Sequence, residues 1–129
     1  MAKAANDIKQ TVLEFIRDLK DNVFSGKTEQ GELALVEFFF TKMKSNAVAD
    51  HIVSHILPHE TAIQTRNVQF FVKEKNNIFG GLPKDRVEYF SNLVTLPPQH
   101  GGLSQDDKNA AWTYFDTLVD LAKLYRKNK

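Results

Sequence analysis

Three histidines spaced four residues apart are the side chains in this chain with the clearest potential for metal chemistry. His51, His55 and His59 lie in the stretch DHIVSHILPHE. Residues four apart lie on one face of a continuous helix, so His51 and His55 could bind one divalent ion from adjacent turns. Pro58 interrupts that line, because the residue before a proline is disfavoured in a helix. His59 therefore need not follow the first two histidines.

The surroundings of the histidines favour a structural role. No His-Glu-x-x-His motif is present, and no second carboxylate-rich segment lies in helical register. Histidines beside an apolar helix stripe are more often half-buried structural residues than ligands. We predict a helix–helix junction here, with no cofactor. A metal-dependent enzyme at His51 and His55 is the alternative interpretation.

Other patterns of enzyme sites do not occur. The chain has no cysteine, which removes disulfides, thiolate ligands and cysteine nucleophiles. Two glycine pairs, Gly80–Gly81 and Gly101–Gly102, precede helix starts, but neither has the lysine and spacing of a phosphate-binding loop. No nucleophile elbow or catalytic triad order stands out. We therefore predict a non-enzymatic protein with no evident small-molecule substrate.

Length and charge predict one domain that covers residues 1–129 and ends in a short basic tail at about 126–129. The 129 residues are 42% hydrophobic, which suffices for a real core. A net charge of +1 gives no broad attraction to nucleic acid or lipid. No signal-type segment and no run of about 18 apolar residues occurs. We expect a soluble, intracellular protein without membrane association.

Apolar periodicity predicts an all-α, compact single-domain bundle of about six short helices. The first should run from about Asn6 to Phe24 and end at Ser25 and Gly26. Thr28 should cap the second. Its predicted buried stripe consists of Leu35, Val36, Phe39, Phe40 and Met43.

Proline, glycine and capping residues predict the bounds of the remaining helices. The third should run from Ser45 or Asn46 to Leu57, and the fourth from Pro58 to Asn76 or Asn77. The fifth and sixth should follow GGLP and GGLS, where Ser104 can cap a helix that carries Asp107 in its first turn.

The chain is rich in aromatic residues, which indicates either a well-filled core or a protein interface. The stretch LALVEFFF is apolar on nearly every side of a helix, so this helix should be central or covered by a partner. Exposed rings commonly anchor interfaces. We predict a protein partner or self-association, with Phe79, Tyr89, Trp112 and Tyr114 as the partner-binding candidates.

A nucleic-acid-binding module is the alternative function. Phosphate contacts and a stacking ring would suffice for such binding, with Phe79 as the ring. Acidic residues lie between the basic ones and weaken the positive field. The cations of this alternative are Lys73, Lys75, Lys84, Arg86 and the basic tail.

The last fifty residues resemble small uncharacterised helical proteins of large double-stranded DNA viruses. The resemblance rests on the FGGLPKDR turn and on an acid-rich helix start followed by Trp, an aromatic pair and a leucine stripe. The matching residues are Ser104, Asp107, Trp112, Tyr114, Phe115, Leu118, Leu121 and Tyr125. The resemblance implies a virion structural or assembly component, located in the host cell or the virion, and no catalytic residue.

Overall fold

Helices make up almost all of the computed structural model, which describes residues 2–24, 26–79 and 82–127. In chain order these are α1 (Ala2–Asp18) with a π-helical extension (Leu19–Val23), α2 (Lys27–Lys42), α3 (Ser45–His55), a 3₁₀ turn (Leu57–His59), α4 (Glu60–Gln64), α5 (Gln69–Ile78), α6 (Lys84–Thr95), a 3₁₀ turn (Pro98–His100) and α7 (Gln105–Lys127).

The predicted all-α bundle is confirmed. Six α-helices have ten residues or more, and α4 adds a short helix of five. No strand occurs within the described ranges, and none of their helices is long and apolar enough to cross a membrane. Ser25 and the glycine pair Gly80–Gly81, which mark predicted helix boundaries, lie outside the described residues.

The predicted fourth helix is in fact two helices. The chain leaves α4 after Gln64 and enters α5 at Gln69. Arg66 lies between them with a positive φ of 57°. A left-handed residue cannot continue a right-handed helix, so the chain turns here. Periodicity alone does not show this break, because no glycine or proline marks it.

The core is built around α1, which packs against α2, α3 and α7, while α5 and α6 pack against each other. Rings of α5 and α7 meet inside it. Phe70 lies 5.0 Å from Phe115, and Phe71 lies 5.0 Å from Trp112, between ring centroids. Burying each large side chain stabilises the fold by about 1.5–3 kcal/mol, so this ring cluster is a main source of stability.

Two predicted partner-binding rings belong to this core. Trp112 is 5% exposed and Phe79 is 4% exposed, so the expectation that they lie at the surface is wrong. Trp112 shares the inner stripe of α7 with Phe115 and Val119, at spacings of three and four. Phe79 stacks on Phe90 at 5.4 Å. Core filling, not partner binding, explains both residues.

The predicted stripe of α2 is only partly correct. Val36 and Phe40 are buried as predicted, but Leu33 completes the inner stripe, and Leu35 and Phe39 are exposed. The prediction placed adjacent residues on one face, whereas successive helical side chains point about 100° apart. Thr28 is not the cap, because α2 begins at Lys27 and no side chain caps it.

The predicted cap of the last helix is confirmed. The backbone N–H of Asp107 donates to Ser104 Oγ at 3.2 Å, just as α7 begins. This contact satisfies one of the amide groups that a helix start leaves without a partner. It also fixes the entry of the 23-residue helix that carries much of the core.

Candidate functional site

The histidine stretch folds against α5, where Glu74 lies between two of the three rings. His55 Nδ1 is 3.2 Å from Glu74 Oε1, and His59 Nε2 is 3.1 Å from Oε2. The side-chain amide of Asn77 also donates to Oε1, at 3.1 Å. One carboxylate thus joins the end of α3, the 3₁₀ turn and α5. We call this group the Glu74 junction.

His51 belongs to the same region but uses a different partner. Its Nε2 lies 2.9 Å from the backbone carbonyl of Asn77. A carbonyl only accepts, so this nitrogen carries the proton and donates. Burial lowers the pKa of His51, although the hydrogen bond to Asn77 opposes that effect. The ring is therefore a neutral structural group near pH 7.

The predicted pair His51 and His55 is brought together, with ring centroids 4.8 Å apart. Their bonded nitrogens, however, point to different partners, the Asn77 carbonyl and the Glu74 carboxylate. Among the described residues, no three His, Asp or Glu side chains are placed to hold one metal ion. The arrangement joins α3, the 3₁₀ turn and α5.

Glu74 is the residue that sequence reasoning missed. In the sequence it is one of several acidic residues that weaken the positive field of a basic stretch. Its partners lie 15 residues away at His59 and 19 at His55, across a 3₁₀ turn and the α4–α5 break. The only sequence signal is Asn77 at i+3 of Glu74, which helical spacing places on the same face.

Two of the four predicted nucleic-acid cations, Arg86 and Lys75, are engaged within the chain. Arg86 forms a bidentate ion pair with Glu32, including Nη2 to Oε1 at 2.6 Å, and lies 4.3 Å from the Tyr89 ring centroid. Lys75 pairs with Glu88. Lys73 and Lys84 are exposed. The predicted stacking ring, Phe79, lies inside the core.

The basic tail borders an open groove beside the first 3₁₀ turn and the start of α4. In this groove Lys123 pairs with Glu60, while Arg126 and Lys127 are exposed. The remainder of the predicted tail, residues 128–129, lies outside the described residues. The two exposed cations favour contact with an anion only weakly, because a single helix end supplies them.

Tyr89 and Tyr114 are the predicted partner-binding residues that reach the surface, each half-buried. The Tyr89 hydroxyl donates to Glu29 Oε1 at 3.4 Å, and burial followed by the Glu29 charge raises the pKa of Tyr89. The Tyr114 ring packs on Phe15 at 5.1 Å, and burial raises its pKa as well. Each ring covers the border of a contact between helices.

The largest exposed apolar feature of the described residues lies on α2. Leu35 is 54% exposed, Phe38 58% and Phe39 37%, and the three border one shallow depression. The ammonium of Lys42 lies 5.0 Å from the Phe38 ring centroid. The α2 outer face, as we name it, consists of Thr28, Gly31, Leu35, Phe38, Phe39 and Lys42.

Three ion pairs fix which side of α2 faces outward. Glu37 lies between Arg17 Nε at 2.6 Å and Lys20 Nζ at 2.8 Å, and the Lys20 hydrogen bond is the main cause of its lowered pKa. Glu32 holds Arg86 of α6 on another side. With α2 tied to both α1 and α6, its outer face cannot rotate into the core.

A small internal cavity of about 30 Å³ lies beneath His51. Its lining is apolar except for His51 and Asn77 among the described residues. That volume is close to one water molecule and too small for a metabolite. A space of this size is a packing defect of the core.

Comparison with family models, with curated proteins and with solved structures gives no match for this chain. The geometry of its own residues therefore carries the functional argument, and the resemblance to viral proteins stays a prediction.

Proposed function

We propose that this protein is a non-enzymatic interaction module that binds a protein partner through the α2 outer face. The observation that supports this is the adjacent exposure of Leu35, Phe38 and Phe39 on a helix whose opposite face already fills the core. When one apolar face of a helix is buried in the core, a second apolar face stays exposed to water unless a partner covers it.

The size of this patch supports an interface. A large aromatic side chain carries roughly 200 Å² of surface, so these exposed fractions amount to roughly 300 Å² of contiguous apolar area. Patches of about that size are the largest on typical monomers and are often functional. Single exposed apolar residues need no such explanation. The other exposed large apolar residues of the described ranges are Val68, Val72, Leu96 and Leu124.

The chemistry of the patch suits a helix or groove on another protein. Two phenylalanines beside a leucine form a ridge of rigid side chains, and Lys42 supplies a charged edge. Amphipathic helices bind protein grooves through such anchors at spacings of three, four and seven. A role as a virion structural or assembly component is part of this proposal, supported by the resemblance of the last fifty residues.

Partner capture with matched variants tests the proposal. Phe38→Glu places a charge on the α2 outer face, whereas Val72→Glu places one at an exposed position of α5. Both should keep the helical circular dichroism of the natural chain. Cross-linking in the native source should yield a specific protein adduct with the natural chain and Val72→Glu, and none with Phe38→Glu. Equal yields from all three chains would overturn the proposal.

A further inference from the structure

We infer that the α2 outer face docks on the same face of a second copy, with the two α2 helices antiparallel about a two-fold axis near Leu35. This inference rests on the proposed function and names its partner. It depends on the shape, charge and area of that face.

The face has a flat half and a ridged half. Gly31 is exposed, and a Cβ added there would meet nothing within 4 Å. It precedes Leu35 by four residues, and Phe38 and Phe39 follow Leu35 by three and four. At about 1.5 Å per residue, both features lie about one turn from Leu35. A two-fold axis at Leu35 therefore lays the rings of each copy over the flat Gly31 region of the other.

Parallel pairing would not give this fit. It would set ring against ring and glycine against glycine, leaving a gap at one end of the contact. It would also bring Lys42 beside the Lys42 of the second copy. Interfaces pack through complementary shapes, so the order of flat and ridged halves along α2 favours the antiparallel direction.

Charge favours the same direction. Antiparallel pairing sets Lys42 opposite Thr28, in a turn where the charges of Lys27 and Glu29 cancel. Like charges in contact oppose association, and this arrangement keeps the two Lys42 side chains at opposite ends of the contact. The dipoles of the two helices also oppose each other in this direction, which is favourable.

The available area predicts a weak, reversible dimer. Roughly 300 Å² of apolar surface from each copy gives roughly 600 Å² in total, below the ~1,200 Å² of stable interfaces even when flanking polar contacts are added. Association should therefore depend on concentration. Sedimentation velocity between about 1 μM and 1 mM covers the range expected for such a contact.

Cross-linking of engineered cysteines tests the geometry, since the chain has none of its own. Thr28→Cys and Lys42→Cys keep every apolar side chain of the face. With a short bis-maleimide reagent, a mixture of these two variants should give at least about tenfold more cross-linked dimer than either variant alone. Val72→Cys, on α5, should remain monomeric. Efficient dimers of each single variant with itself would show parallel pairing and overturn the inference.

A large side chain at Gly31, in the flat half of the α2 outer face, provides a second test. Gly31→Phe should weaken self-association at least about tenfold, although Gly31 borders open space in its own chain. Phenylalanine also favours a helix over glycine, so the variant should fold. An unchanged sedimentation profile would contradict the inference.

The two proposals can fail separately. One outcome is that the natural chain sediments as a monomer at every concentration but cross-links to a different protein, and that Phe38→Glu does not form this adduct. In that case the second copy is wrong and the interaction module stands. If the natural chain is monomeric and Phe38→Glu changes no adduct, both are wrong.

Discussion

Arg66 holds Asp116 through two parallel hydrogen bonds, Nη1 to Oδ1 and Nη2 to Oδ2, each 2.8 Å long. The same guanidinium donates to the carbonyl of Ile63 at 3.0 Å and lies 5.5 Å from the Trp112 ring centroid. The side chain thus ties the α4–α5 turn to α7.

The backbone of Arg66 makes this tie unusual. Asn67 N–H donates to the Ala62 carbonyl at 2.8 Å, and Arg66 N–H donates to that of Ile63 at 3.1 Å. This is the Schellman pattern of helix ends, whose left-handed position usually holds glycine. Arg66 occupies it at a φ of 57°. Its side-chain contacts offset the strain.

Asp116→Ala and Arg66→Gly both break the pair, but they should lower the free energy of unfolding by different amounts. Asp116→Ala should lower the free energy of unfolding by about 0.5–1 kcal/mol, the upper range for a bidentate pair at the surface. Arg66→Gly loses the same pair but relieves a left-handed conformation that costs about 1 kcal/mol, so it should cost less. In the Asp116→Ala background, Arg66→Gly should stabilise the chain.

Urea unfolding of the two single variants and the double variant measures this coupling. Lys123→Ala is the matched control, since it breaks an exposed pair with Glu60 where no backbone strain exists. Additive effects of Arg66→Gly and Asp116→Ala would contradict the compensation.

Glu74→Gln should destabilise the chain more than a comparable change elsewhere. The amide cannot serve His55 and His59 as a charged acceptor, and half of it would face the amide of Asn77. The loss should be about 1–2 kcal/mol at neutral pH, the usual cost of a half-buried polar group without its partner. Glu88→Gln, at a carboxylate 43% exposed, should cost less in the same urea titration. Equal losses would argue against the Glu74 junction as a structural centre.

Protonation of His51 should destabilise the fold. Burial holds its pKa below the ordinary value of about 6.5, so the unfolded chain binds this proton more readily. Stability is therefore full above about pH 6.5 and falls as the pH drops from there through the folded-state pKa. His55 opposes protonation and Glu74 favours it, both weakly.

The contribution of His51 is obtained by difference. His51→Gln keeps a donor for the Asn77 carbonyl but cannot titrate. Its free energy of unfolding should fall less between pH 7 and pH 5 than that of the natural chain. His100→Gln, at an exposed histidine, is the matched control for the substitution itself. A His51→Gln profile parallel to the natural one would refute the assignment.

Helix content could be predicted from sequence because periodicity and caps act locally. The Ser104 cap depends on residues within a few positions of one another, and it appears as predicted. Pro58 likewise indicates a junction, which the 3₁₀ turn confirms. Such features need no knowledge of distant contacts.

The candidate sites depend on distant contacts, which residue patterns along the chain do not show. Trp112 could face a partner or the core, and only the position of α5 decides for the core. Either Leu35 or Val36 can face the inner side of α2. The ion pairs of Glu37 and Glu32 to other helices set the rotation of α2 that buries Val36. The partners of Glu74 lie beyond a break at Arg66 that no residue type signals.

Filling the small core cavity should stabilise the protein. Val36 lines the cavity of about 30 Å³, which can accept one added methyl group. Val36→Ile should raise the free energy of unfolding by up to about 0.8 kcal/mol, the value of one buried methylene. Val48 is equally buried but does not border the cavity. Val48→Ile should therefore overpack the core and cost about 1–3 kcal/mol. Urea titrations of both variants compare the two sites directly, and a loss of stability with Val36→Ile as large as that with Val48→Ile would show that the cavity cannot accept the methyl group.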